Sequence, residues 1–261
     1  MNGKEIRLNR ILEKGKAIII PMDHGTSEGP VTGLTDMNDM VRKLGSGGAT
    51  AVLLHKGIIK SLKEPPKCGL IMHASASTKL ASDVNNKVLV SEVEEAVTLG
   101  ADAFSVHINI GGSDAEPEML KALGKVARDC EKMQMPLLAM MYARGKNIQN
   151  QLDADVLAHV ARVGAELGAD LVKCPYSGDP ETFKKVVKGC PVPVIIAGGP
   201  KYETDREVLE MVRGAMDAGA IGVSLGRNAF QHKNPTQIVK AIRSIIVKDS
   251  SVEEALKLLG E

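Results

Sequence analysis

The stretch ADLVKCPYSG, residues 169–178, decides how the rest of the chain is read. It carries an apolar centre at Leu171-Val172 and breaks at Pro175 and Gly178, the profile of a short buried strand. Gly168-Ala169 introduces it, and the same pair introduces apolar runs at Gly48-Ala49, Gly100-Ala101 and Gly219-Ala220, about 57 residues apart on average. That interval matches two βα units of about 30 residues each. Working outward in both directions gives the full set: AIIIPMDHG (17–25), ATAVLLHKG (49–57), GLIMHASAS (69–77), DAFSVHINI (102–110), PLLAMMYARG (136–145), ADLVKCPYSG (169–178), VPVIIAGGP (192–200) and AIGVSLGRN (220–228). Each run is followed by polar loop residues and a helix-period segment. The pattern predicts a (β/α)8 TIM barrel, an α/β fold, with residues 1–261 as a single domain. In this reading each glycine ends a helix in a left-handed conformation and each alanine lets strand and helix pack closely. An open doubly wound sheet would share the strands but leave the recurring Gly-Ala pairs as coincidence. Helix starts are marked as well. Ser91 with Glu94 and Thr204 with Glu207 have capping-box spacing, and Asp179-Pro180 reads as an N-cap followed by proline at the first helical position.

Composition agrees with strands buried on both faces. The 261 residues include no Trp, three Tyr and three Phe, so the core must come from Val, Ile, Leu, Ala and Met. A net charge of +1 without a basic tract argues against a nucleic-acid partner. No run reaches the ~18 apolar residues of a membrane span. The N-terminal segment is charged, and its first apolar run, Ala17 to Ile20, is too short for a signal peptide. Cys68, Cys130, Cys174 and Cys190 show no CxxC spacing, and together with twelve methionines they predict a cytoplasmic protein without disulfides.

Barrel enzymes carry their reacting groups where strands end and βα loops begin. The first strand ends on Asp23 and His24, the second on His55 and Lys56, and the third on His73 and Ser75. The fourth offers His107 and Asn109, the fifth Tyr142 and Arg144, and the sixth Lys173. The seventh and eighth end on Gly198-Gly199 and Gly226-Arg227, the two loops with which barrels commonly hold phosphate. Glycines let backbone N–H groups approach phosphate oxygens, and Arg227 adds a forked donor. Position alone leaves Lys173 as either a solvated strand-end charge or a Schiff-base nucleophile. The second role needs the free amine, which apolar walls and a cation such as Arg144 would favour. Lys56 is its rival, in a looser setting before Gly57. Tyr142 is either a core tyrosine or a proton carrier for a sugar hydroxyl, and Asp23 either a loop cap or a proton carrier. His24, His55, His73 and His107 end four strands and raise a metal-enzyme reading, but the second to fifth strands supply no carboxylate to complete a ligand set. A non-catalytic sugar-phosphate binder would leave the lysine, tyrosine and aspartate without purpose.

PMDHGTSEGP (21–30), AVLLHKG (51–57), PLLAMMYARGKNIQN (136–150), ADLVKCPYSGD (169–179), IIAGGPK (195–201) and GVSLGRNAFQH (222–232) together resemble the archaeal-type class I fructose-bisphosphate aldolase family. Within it the likeness is to the 2-amino-3,7-dideoxy-D-threo-hept-6-ulosonate synthase branch, and it spans essentially the whole chain. The resemblance implies a Schiff base on Lys173, proton transfer by Tyr142 and Asp23, and no metal or other cofactor. It also implies substrate contacts from Asp23, His24, Gly25, Thr26 and Ser27, from Tyr142, Ala143 and Arg144, and from Lys173, Gly198, Gly199, Gly226 and Arg227. The implied reaction joins 6-deoxy-5-ketofructose 1-phosphate to L-aspartate 4-semialdehyde on a route to dehydroquinate and aromatic amino acids, in a homo-oligomer built as a decamer. Two departures stand out: a short loop from Ser61 to Lys67, and Cys174-Pro175 after the lysine where the family has small polar residues.

Overall fold

The computed structural model describes residues 1–260. Its eight parallel strands are β1 (Ala17–Pro21), β2 (Ala51–His55), β3 (Gly69–His73), β4 (Ala103–Ile110), β5 (Leu137–Ala143), β6 (Leu171–Pro175), β7 (Val194–Ala197) and β8 (Gly222–Ser224). Every one falls inside its predicted run. They close into a barrel in chain order, with Ile19 of β1 opposite both Ala51 of β2 and Ser224 of β8. Alternation along the strands divides the apolar side chains into two sets. Ile19, Leu53, Ile71, Leu138 and Leu171 fill the barrel interior, whereas Ile18, Val52, Met72, Phe104 and Val172 face the surrounding helices.

The Gly-Ala pairs do more than space the units. Gly48, Gly100, Gly168 and Gly219 have φ of +92°, +73°, +100° and +95°. Each donates its N–H to a carbonyl three residues back, and the following alanine donates to one five residues back, as in Ala101 N–H to the Ala96 oxygen at 2.9 Å. These are the two bonds of a Schellman cap, repeated four times. The next residue ties the unit to the preceding strand in three of the four cases. Thr50, Asp102 and Asp170 accept from the N–H groups of Ile18, Leu70 and Leu137 at 2.9, 3.0 and 2.8 Å.

Two elements were not visible in the strand pattern. A helix at Gly3–Ile11 closes the lower end of the barrel, with Ile11 fully buried among the interior residues. Lys4 and Arg10 on it pair with Asp170 and Asp102, each at 3.1 Å. Burial of Ile11 contributes roughly 1.5–3 kcal/mol. At the other end, residues 74–92 form a strap whose short antiparallel strands, Ser75–Ala76 and Val88–Leu89, pair with each other. The strap also moves a predicted cap. Val90 N–H bonds the Ala74 oxygen, so the chain is still held in the strap at Ser91. The helix Val93–Thr98 starts from Glu92 instead, with Glu95 Oε2 accepting the Glu92 N–H at 3.0 Å. Ser91 is buried without a hydrogen bond to its hydroxyl. Thr204 with Glu207, and Asp179 before Pro180, cap their helices as expected. Among the described residues no helix is long and apolar enough to cross a membrane.

Candidate active site

The carboxyl ends of the strands surround a cavity of about 510 Å³. Lys173 rises into it from the middle of β6 because Leu171 points inward one pleat below, and residues two apart share a face. The lysine is 5% exposed, its Nζ lies 4.0 Å from Met140 Sδ, and among the described residues no carboxylate is within 4.0 Å of it. Structural buried charges are paired as a rule, so a buried amine without an ion-pair partner is a candidate for chemistry. Tyr142, on β5, stacks on His107 of β4 with centroids 4.6 Å apart, and the Arg144 guanidinium lies 4.4 Å above its ring. Among the described residues its hydroxyl makes no hydrogen bond. Asp23, just after β1, forms no side-chain cap to the helix His24–Glu28. Its carboxylate instead faces His73 Nε2 at 3.6 Å and His24 Nδ1 at 3.7 Å.

Across β7 and β8 the backbone is shaped as a cradle. Gly199 has φ +62° and nothing within 4 Å of where a Cβ would sit. Gly198 is glycine because a Cβ there would lie 2.6 Å from Leu225 Cδ2, and Gly226 because one would lie 2.7 Å from the His24 ring. The N–H groups of Gly199, Gly226 and Arg227 meet no protein acceptor among the described residues. Arg227 reaches the Gly199 oxygen at 3.3 Å with Nη2, and its Nε is buried without a partner. Asn228, 5% exposed, lashes the β7 loop in place. Its Nδ2 donates to the Gly198 and Pro200 oxygens at 3.0 Å each, and its Oδ1 accepts from Tyr202 N–H at 2.8 Å. Unsatisfied N–H groups beside a guanidinium form a ready site for an oxyanion.

A model of the DeoC/LacD family aldolase matches residues 17–232. The chain belongs to that aldolase family. The aldolase is similar, at 45% identity over 99% of its length and 97% of the relative's, to the 2-amino-3,7-dideoxy-D-threo-hept-6-ulosonate synthase of Halobacterium salinarum. Synthase 1 of Archaeoglobus fulgidus is 40% identical over 100% of this chain and 97% of its own. A solved Schiff-base-forming fructose-1,6-bisphosphate aldolase superposes with a TM-score of 0.88 at 33% identity, covering 94% of this chain and 100% of that one. This aldolase is thus an enzyme of the Schiff-base, class I type.

Charges in the aldolase's cavity are set by burial and by each other. Burial opposes ionisation of Asp23, but His73, His24 and Lys173 in their charged forms outweigh it and hold the carboxyl well below the usual carboxylate range. Burial lowers His73 to about 4 against the attraction of Asp23, so at neutral pH the imidazole is uncharged. Its Nδ1 lies 2.6 Å from Ser105 Oγ. Burial, then Lys87 and Arg144, lowers His107 well below the ordinary imidazole value.

Of the thirteen substrate contacts that the resemblance implies, Asp23, His24, Ser27, Tyr142, Arg144, Lys173, Gly198, Gly199, Gly226 and Arg227 line this one cavity, together with the strand-end residues His55, His73, Ser75 and His107. Three do not. Gly25 and Thr26 are exposed on the helix His24–Glu28, and Ala143 is 1% exposed in the layer between strand and helices because it alternates with Tyr142. The rival Lys56 opens the helix Lys56–Ser61 and pairs with Glu95 at 2.9 Å, away from the cavity. Three histidines gather near Asp23, but among the described residues no three His, Cys, Asp or Glu side chains are arranged to hold a metal ion. Strand-end reasoning missed Glu28, Lys79, Asn85 and Lys87, which line the cavity from the first loop and the strap. The length of the strap was the available signal, since βα loops of two to six residues are usual and much longer ones carry function.

Proposed function

We propose that this aldolase moves a three-carbon ketone unit from 6-deoxy-5-ketofructose 1-phosphate to L-aspartate 4-semialdehyde, giving 2-amino-3,7-dideoxy-D-threo-hept-6-ulosonate. The observation that carries the reading is the buried amine of Lys173, without an ion pair among the described residues, in one cavity with Asp23, Tyr142 and an oxyanion cradle. The amine adds to the C5 ketone and expels water, leaving an iminium. A base takes the proton of the C3 hydroxyl, the C3–C4 electron pair moves into the iminium, and a phosphorylated dicarbonyl departs. The resulting enamine attacks the aldehyde carbon of the acceptor, whose oxygen takes a proton. Water then releases the product and restores the amine. Asp23, ionised, is fitted to accept a hydroxyl proton, and Tyr142 to donate one to the new alkoxide. The cradle of Gly198, Gly199, Gly226 and Arg227 receives the donor's phosphate, and the iminium serves as electron sink without a metal.

The relatives' names favour this transfer, and so does the presence, among the described residues lining the cavity, of one glycine-built cradle. A second reading, cleavage of fructose 1,6-bisphosphate, draws on Lys87 and Arg144, two further cations lining the cavity. One preparation given each substrate set in turn decides between them by mass spectrometry. A seven-carbon amino product from the keto sugar phosphate and aspartate semialdehyde supports the transfer; efficient bisphosphate cleavage without that product supports the second reading. Prolonged chelation should leave turnover unchanged, and activity restored only by zinc would return attention to the histidines. We further propose a cytoplasmic location, the compartment that four free cysteines favour, and a homo-oligomer, a decamer, as the resemblance implies; sedimentation of the purified protein as a monomer would refute the assembly.

A further inference from the structure

Among the residues lining the cavity, only Asp23 and Glu28 are carboxylates. Both follow β1, which is bonded to β8 as well as to β2, and His24, whose ring borders Gly226 of the cradle, lies within electrostatic reach of both carboxylates and of Arg227. Glu28 ends the helix His24–Glu28, with Oε2 3.4 Å from Lys79 Nζ of the strap. Nothing in the transfer chemistry described above uses it.

The transfer itself constrains where the acceptor lies. The departing fragment presents its aldehyde carbon to the enamine, followed by a carbonyl carbon, a methylene and the phosphate ester. Aspartate semialdehyde presents its aldehyde carbon to the same enamine, followed by a methylene, the amino-bearing carbon and the carboxylate. Two aldehydes that use one carbon nucleophile in turn project their anions toward one wall. The acceptor adds an ammonium next to its anion, and an ammonium in a cavity calls for a carboxylate. Lys87 and Arg144, carried by the strap that leaves β3 and by β5, offer another anion site, but among the described residues neither forms an ion pair with a carboxylate lining the cavity, although Asp23 lies within electrostatic reach of Lys87.

We infer that the cradle is used twice: the acceptor's carboxylate takes the Gly199, Gly226 and Arg227 donors vacated by the phosphate, and Glu28 binds its ammonium. The inference rests on the transfer reading and makes Glu28 the residue that selects an amino-acid aldehyde.

The test compares aspartate semialdehyde with succinate semialdehyde, which keeps the carboxylate and lacks the amino group. Glu28→Gln should lower kcat/KM for aspartate semialdehyde roughly five- to tenfold more than for succinate semialdehyde. Arg227→Ala should lower both, and inorganic phosphate should raise the apparent KM of donor and acceptor alike. Circular dichroism and a cooperative urea transition verify that each variant is folded. Equal loss on both aldehydes in Glu28→Gln, phosphate competing with the donor only, or a preference that shifts in Lys87→Met instead, overturns the assignment. A wild-type enzyme that makes no seven-carbon product sinks the transfer reading and this inference together. An unmoved preference in an enzyme that does make it sinks the inference alone.

Discussion

Lys173 and His73 are both buried, and the surroundings of each lead to a different measurement. The lysine has no carboxylate within 4.0 Å among the described residues, and its rival Lys56 is tied to Glu95 outside the cavity. Borohydride reduction with keto sugar phosphate should therefore add mass to the peptide bearing Lys173 and nothing to that bearing Lys56, and Lys173→Met should abolish the adduct. An adduct on Lys56 would displace the assignment. His73 is 2% exposed and takes a proton only near pH 4, whereas in an unfolded chain it does so near 6.5. Between those values the unfolded state binds the extra proton, so stability is lost as pH falls from 6.5 toward 4, by up to about 3 kcal/mol. Asp23, with its carboxyl depressed, adds a loss in the same direction at still lower pH. Urea midpoints at pH 7.5 and 4.5 should thus separate more in the wild type than in His73→Gln. Parallel slopes would show that His73 is not the group that titrates.

At the scale of elements, the Gly-Ala turns and the β1–β8 seam make different demands on glycine. A Cβ on Gly100 would meet nothing within 4 Å, so Gly100→Ala carries only the left-handed backbone cost, about 1–2 kcal/mol. A Cβ on Gly222 would lie 1.9 Å from the Ala17 carbonyl oxygen across the seam, and Gly222→Ala should cost more than about 3 kcal/mol. Guanidinium titrations of the two variants check the order; equal losses would mean that the seam can relax. The strands and these turns were legible in sequence because each rests on a local requirement, a β-branched run or a left-handed residue. The gathering of Lys173, Tyr142 and Asp23 in one cavity was legible because Tyr142 and Asp23 sit at or next to strand ends and Lys173 interrupts a short apolar strand. The strap was not, since its strands are two residues long and its form depends on anchors distant in sequence, such as buried Asn109 donating to the Asn85 oxygen at 2.7 Å. The cap at Ser91 was misplaced for the same reason, and the helix Gly3–Ile11 showed only as a charged segment because one residue, Ile11, is buried.

For the molecule as a whole, stability owes nothing to covalent cross-links. All four cysteines are free. Burial raises the Cys68 thiol to about 11 and Cys130 to about 12, and raises Cys174 further in the same direction. A disulfide-exchange reagent at pH 8 should find at most one reactive thiol, Cys68, in the native protein and four after denaturation. Rapid reaction of more than one in the native state would contradict the packing. The four Schellman turns lie where helices enter the strands, and Lys173, Tyr142, Asp23 and the cradle lie at or beyond the strand midpoints toward the opposite rim. Free-energy changes introduced at the two rims should sum, with a coupling close to zero in a double-mutant cycle between Gly100→Ala and Arg227→Ala. Heritable change can then retune catalysis on one rim and thermal endurance on the other in either order, without the first step restricting the second.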